Sequence, residues 1–104
     1  MVLEVAQEAV IPPEPVYPAA GSLFVEVGIR LRETGKLQEL RDLWFSENSV
    51  YAAITKAQFA NPTAITTDNI KEKIDICTEQ VLAEMRLKKE AGLPYDYRAF
   101  TCNL

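Results

Sequence analysis

There is no histidine in this chain. That absence removes the commonest general base near neutral pH and the commonest neutral metal ligand, so acid–base and metal chemistry would have to rest on less suitable groups. Cysteine is scarce as well. Cys77 and Cys102 are the only two, far apart and in unlike surroundings, which is neither the dense framework of a disulfide-stapled domain nor the paired spacing of a zinc site. No apolar run approaches the ~20 residues needed to cross a bilayer. The segment Met1 to Val10 lacks the basic start and continuous apolar stretch of a secretion signal. These absences together lead to the expectation of an intracellular, cytoplasmic protein with no membrane span.

Positive charge is also in short supply. Fifteen acidic residues against eleven basic give a net charge of -4, whereas binding to a phosphate backbone is driven by clustered Lys and Arg. Nucleic acid is therefore a disfavoured partner. The nearest basic patch, Arg86, Lys88 and Lys89, reads more simply as cations complementing the negative end of a helix dipole. Gly28 and Gly35 fit no phosphate-cradling spacing.

What is present falls into three parts. Residues 1–20 form an N-terminal arm in which Pro12, Pro13, Pro15 and Pro18 occupy four of seven positions. Each proline fixes its own φ and pushes its predecessor out of the helical region, so this stretch reads as extended or polyproline-like. Ahead of it, Val2, Val5, Ala6, Ala9 and Val10 recur at helical spacing and would make a short amphipathic turn. Residues 93–104 form a tail in which Pro94, Tyr95, Tyr97 and Phe100 follow no helical or strand period. Between them, residues 21–92 read as a helical domain of about seventy residues, a size at which stability is marginal without help.

Within that body, residues 23–31 are ambiguous. Val25, Val27, Ile29 and Leu31 alternate as in a strand, while Phe24, Val27, Gly28 and Leu31 share a helical face. Helix is the preferred reading, with Ser22 as cap and Gly35 as stop; the alternative is an α+β fold with a strand at 23–31. Leu37, Leu40, Leu43 and Trp44 form a further helical stripe. Ser46 can cap a helix carrying Val50, Tyr51, Ile54 and Ala57, which Asn61 and Pro62 end. The longest pattern is Ile70, Ile74, Cys77, Val81 and Met85, capped by Thr67 or Asp68 and closed by Ala91, Gly92 and Pro94. The expected fold is all-α: a three- or four-helix body whose core holds Phe24, Leu40, Trp44, Tyr51, Ile54, Ile74 and Val81.

No chemistry-bearing motif emerges. Cys77 lies in the apolar stripe of a helix, where a thiol behaves as a small hydrophobe. Cys102 reads as an accessible, incidental thiol with no neighbouring group to activate it. Asp68, Glu72, Asp75 and Glu79 are interleaved with Lys71 and Lys73, the pattern of a solvated helix face. The sequence thus points to no catalytic residues, no cofactor and no metal. The expected function is a small non-enzymatic structural or accessory subunit of a larger assembly, bound to other protein subunits as a hetero- or homo-oligomer. Val16, Tyr17, Tyr95, Tyr97 and Phe100 are the expected partner-binding residues, because large amphipathic rings serve as interface anchors. On this reading, removing residues 93–104 would leave the helical body folded. The alternative is a helical DNA-binding regulator or adaptor, with a helix-turn-helix around Gly35 or Asn61.

Overall fold

The structure is a computed structural model and describes residues 14–104. The proposed amphipathic turn at Val2 to Val10 lies outside those residues. The described chain is all-helical. Helix α1 spans Ala20–Glu33, a single turn α2 spans Lys36–Glu39, a 3-10 turn covers Arg41–Leu43, α3 spans Glu47–Ala60 and α4 spans Ile70–Glu90.

The ambiguity at 23–31 is resolved as helix. Leu23, Val27, Gly28 and Leu31 are the buried positions of α1, a spacing of four, one and three that only a helix places on one face. The cap is not Ser22 but Ala19, in extended backbone and with no side-chain cap bond. At the other end Thr34 closes the helix, its backbone N–H bonding the Arg30 carbonyl at 3.0 Å. Gly35 then turns the chain at φ +71, a conformation that carries no Cβ penalty for glycine.

Helices α3 and α4 start and stop largely where local chemistry directs. Ser46 caps α3, its hydroxyl accepting from the Ser49 backbone N–H. Helix α4 is capped by Asn69 rather than Thr67 or Asp68. A reciprocal pair tightens that turn: Thr66 N–H donates to Asn69 Oδ1 at 2.7 Å and Asn69 N–H to Thr66 Oγ1 at 3.3 Å. At its C-terminus Gly92 adopts φ +71, the Leu93 N–H reaches the Lys88 carbonyl at 2.8 Å and the Gly92 N–H reaches that of Lys89 at 3.1 Å. That crossed pair is a Schellman motif, which satisfies two carbonyls the helix leaves open.

The three long helices converge on Leu23, Val27, Leu31, Val50, Ala53, Ile54, Ile74, Cys77, Val81 and Leu82, each at most 1% exposed. Full burial of each large aliphatic contributes about 1.5–3 kcal/mol before entropy is counted. Outside this cluster, Arg30 on α1 clamps Asp75 on α4 through two bonds, Nε to Oδ1 at 2.8 Å and an Nη to Oδ2 at 2.7 Å. The carboxylate, by hydrogen bond and by charge, holds the Arg30 pKa above its ordinary value.

Two expected core residues lie elsewhere. Trp44 is 90% exposed, because the stripe from Leu37 does not continue as one helix. The chain leaves helical geometry at Leu40, tightens into the 3-10 turn, and passes into left-handed backbone at Trp44, φ 60. That rotation carries the indole outward and puts Phe45, 6% exposed, into the core. Phe24 is 40% exposed; Leu23 takes the inward position, and Phe24 lies edge-on against the half-buried Tyr51 with ring centroids 5.0 Å apart. Leu40, Ile54, Ile74 and Val81 are buried as expected.

The cysteines are the larger departure. Cys102 is buried and forms a disulfide with Cys77, their Cα atoms 5.4 Å apart. The expectation of two unrelated thiols, with Cys102 accessible, is therefore corrected. Around this link the Cys102 N–H bonds the Ala53 carbonyl, and Gln80 and Asn103 exchange two bonds of 2.7 Å. The Lys56 ammonium donates to the carbonyls of Tyr97, Arg98 and Phe100. The tail lies over α3 and α4, with Cys102 in the core and Tyr95, Phe100 and Leu104 packed against it.

Candidate functional site

One surface stands out by its chemistry. The 3-10 turn, the start of α3, the end of α4 and the first tail residues enclose a groove of about 540 Å³. Its apolar lining comes from Leu43, Trp44, Met85, Leu93, Pro94, Tyr95 and Tyr97, and its polar lining from Asp42, Ser46, Ser49, Lys88 and Lys89.

Each part of this lining has a local cause. Trp44 is brought there by its left-handed backbone, which a bulky residue adopts only at a cost of roughly 1–2 kcal/mol. That cost is not offset by burial of the ring. A strained residue whose side chain gains nothing from the core is the kind of outlier from which function is argued. Leu93 and Pro94 are placed by the Schellman turn at Gly92, and Leu93 remains 55% exposed. Tyr97 is the middle residue of an Asx-type turn, in which Asp96 Oδ1 accepts from the Arg98 N–H at 3.0 Å. That bond, helped by the Arg98 side chain, holds the Asp96 pKa below its ordinary value.

Tyr95 forms the inner wall. It is half-buried, packs against the core cluster and lies 6.4 Å from the Phe100 ring centroid. Burial first, then the charges of Glu84 and Asp96, push its phenol up to about 12. Its hydroxyl is buried and finds no hydrogen-bond partner among the described residues. On the polar side Lys88 lies 3.8 Å from Glu84, and Lys89 lies 3.9 Å from Asp42. Such long, exposed pairs contribute little and re-form easily.

The five expected partner-binding residues divide among three places. Tyr95 and Tyr97 line the groove. Phe100 is half-buried against the core. Val16 and Tyr17, 62% and 45% exposed, lie on the arm at the opposite end of the bundle. There the Val16 carbonyl accepts from the Thr67 N–H at 2.9 Å and the Pro18 carbonyl from Gln58 Nε2 at 3.3 Å. Trp44 is the residue that sequence reasoning missed. A signal was available in the adjacent Trp44 and Phe45, since one of two neighbouring rings on a helix end must leave the core face.

Among the described residues no group of three or more His, Cys, Asp or Glu is placed to hold a metal ion. None of the described helices is long and apolar enough to cross a membrane. Comparison with protein-family models, with curated proteins and with solved structures gives no match, so the groove must be interpreted from its own geometry.

Proposed function

We propose that this protein is a small non-enzymatic subunit that docks other protein chains, with the groove beside Trp44 as its principal contact surface. The observation that carries the reading is the indole itself, 90% exposed on strained backbone at the mouth of an apolar slot. Tryptophan and tyrosine at the mouth of an apolar slot flanked by charged side chains match the composition of interface hot spots. The exposed arm residues Val16 and Tyr17 offer a second contact. Tyr95 serves mainly to build the groove wall, with Phe100 beside it against the core. A helix-turn-helix reading has less support, because Gly35 leads into a single turn rather than a recognition helix, and around Asn61 the connection of residues 61–69 between α3 and α4 is longer than the short turn of that motif.

A cytoplasmic location accords less well with the Cys77–Cys102 bond, since such bonds persist chiefly in oxidising surroundings. A disulfide-permissive compartment is therefore part of the proposal. The test is the native mass of the protein recovered from its source, with chemical cross-links from Lys88 and Lys89. Complexes heavier than the 11.7 kDa chain, cross-linked at those lysines, support it. A lone monomer with no cross-links there refutes it.

A further inference from the structure

We infer that the occupant of the groove is a second copy of this chain, whose proline-rich arm around Glu14 to Tyr17 lies across Trp44, Tyr95 and Tyr97. The inference rests on reading the groove as a protein-docking surface, and it names the partner.

Three observations support that occupant. The first is shape and chemistry. A slot walled by aromatic rings is the surface on which polyproline-type segments dock, because such segments are already extended and lose little entropy on binding. The described arm has that character: Glu14 to Ala19 has no helix or strand, Pro15 is exposed, and the Val16 and Tyr17 side chains lie open to solvent. The second is charge. Glu14 is the only ionised residue between Pro12 and Pro18, and the groove wall carries Lys88 and Lys89 in weak, exposed pairs. A carboxylate arriving from outside can share those ammonium groups.

The third is placement. The arm is fastened at Gln58 and Thr67, near the end of α3 and beyond it, whereas the groove begins at Ser46 and Ser49 at its start. The distance along α3 from Ser46 to Gln58 is roughly 18 Å at 1.5 Å per residue. The segment Glu14 to Tyr17 spans about 12 Å even when fully extended as polyproline. It cannot turn back into its own groove, but it can enter that of a neighbour. Arm and groove are different patches, so the contact is heterologous. Copies joined this way run head to tail, closing into a ring or continuing as a filament.

The chain's single tryptophan is Trp44, which makes the groove its own reporter. Two variants separate the halves of the contact: P15A/Y17S alters the arm, and Trp44→Asn alters the groove while suiting the left-handed backbone. Sedimentation of the purified native chain should show mass rising with concentration in steps of 11.7 kDa, with a blue shift of Trp44 emission. Each variant alone should remain monomeric with unchanged circular dichroism. Mixed, they should form one-to-one dimers and nothing larger, because only one arm and one complementary groove are intact. A native chain that stays monomeric at all concentrations, or association that survives both variants, would overturn the inference. A purified monomer that is nevertheless found in heavier complexes at source would leave the docking function standing with a different partner.

Discussion

Replacing Cys102 by Ala tests how far the tail belongs to the fold. The bond it removes closes a loop with a sequence separation of 25 residues. In the chain-entropy treatment, such a cross-link lowers the entropy of the unfolded chain by about 12 cal/mol/K, or about 3.5 kcal/mol at 25 °C. For a body of this size that is a large fraction of total stability, which is on the order of 5–15 kcal/mol. Native-side losses come on top, because the bonds around Cys102, Lys56 and Gln80 depend on the tail being held in register. Urea unfolding followed by circular dichroism, on the oxidised protein, the reduced protein and Cys102→Ala, reads the effect directly. With a slope of about 1 kcal/mol/M, the midpoint should fall by roughly 3.5 M in both altered forms. Thiol titration of the denatured, unreduced protein should find no free thiol. Coincident midpoints, within about 0.5 M, together with two titratable thiols would refute the reasoning. The tail would then be an appendage, as the sequence suggested.

Ile74→Ala, at a fully buried position of α4 within the core cluster, should destabilise by about 2–5 kcal/mol in the same urea experiment. Lys56→Met should loosen the three carbonyls its ammonium gathers, lowering stability by about 1–2 kcal/mol and hastening proteolysis within residues 96–101. For Tyr95 the folded phenol lies at about 12, above an unfolded value near 10. The unfolded chain therefore loses its proton first, and the stability this group contributes is complete below pH ~10 and declines toward pH ~12. Unfolding curves across that window should show a decline that Tyr95→Phe reduces, and the variant should be no less stable at neutral pH because the lost hydroxyl has no partner. Gly92→Ala should cost about 1 kcal/mol, measured by thermal unfolding, since alanine must take φ +71 to keep the Schellman turn.

The sequence by itself determined the course of α3 and α4 and the stop of α1, because the signals that set them are local. Ser46 before α3, Asn61 and Pro62 after it, and Gly35 and Gly92 past the ends of α1 and α4 act within one turn of the chain. So does the spacing of Ile70, Ile74, Cys77, Val81 and Met85, which set the inward face of α4. Tertiary structure decided what those signals do not reach. Whether Trp44 or Phe45 turns inward depends on the space α4 leaves beneath the 3-10 turn. Whether Cys102 meets Cys77 depends on the tail crossing α3 and α4, a contact between residues 25 apart that no local period encodes. The groove arises from both decisions, since its rings come from the turn and the tail, two segments without a shared pattern that only packing brings together.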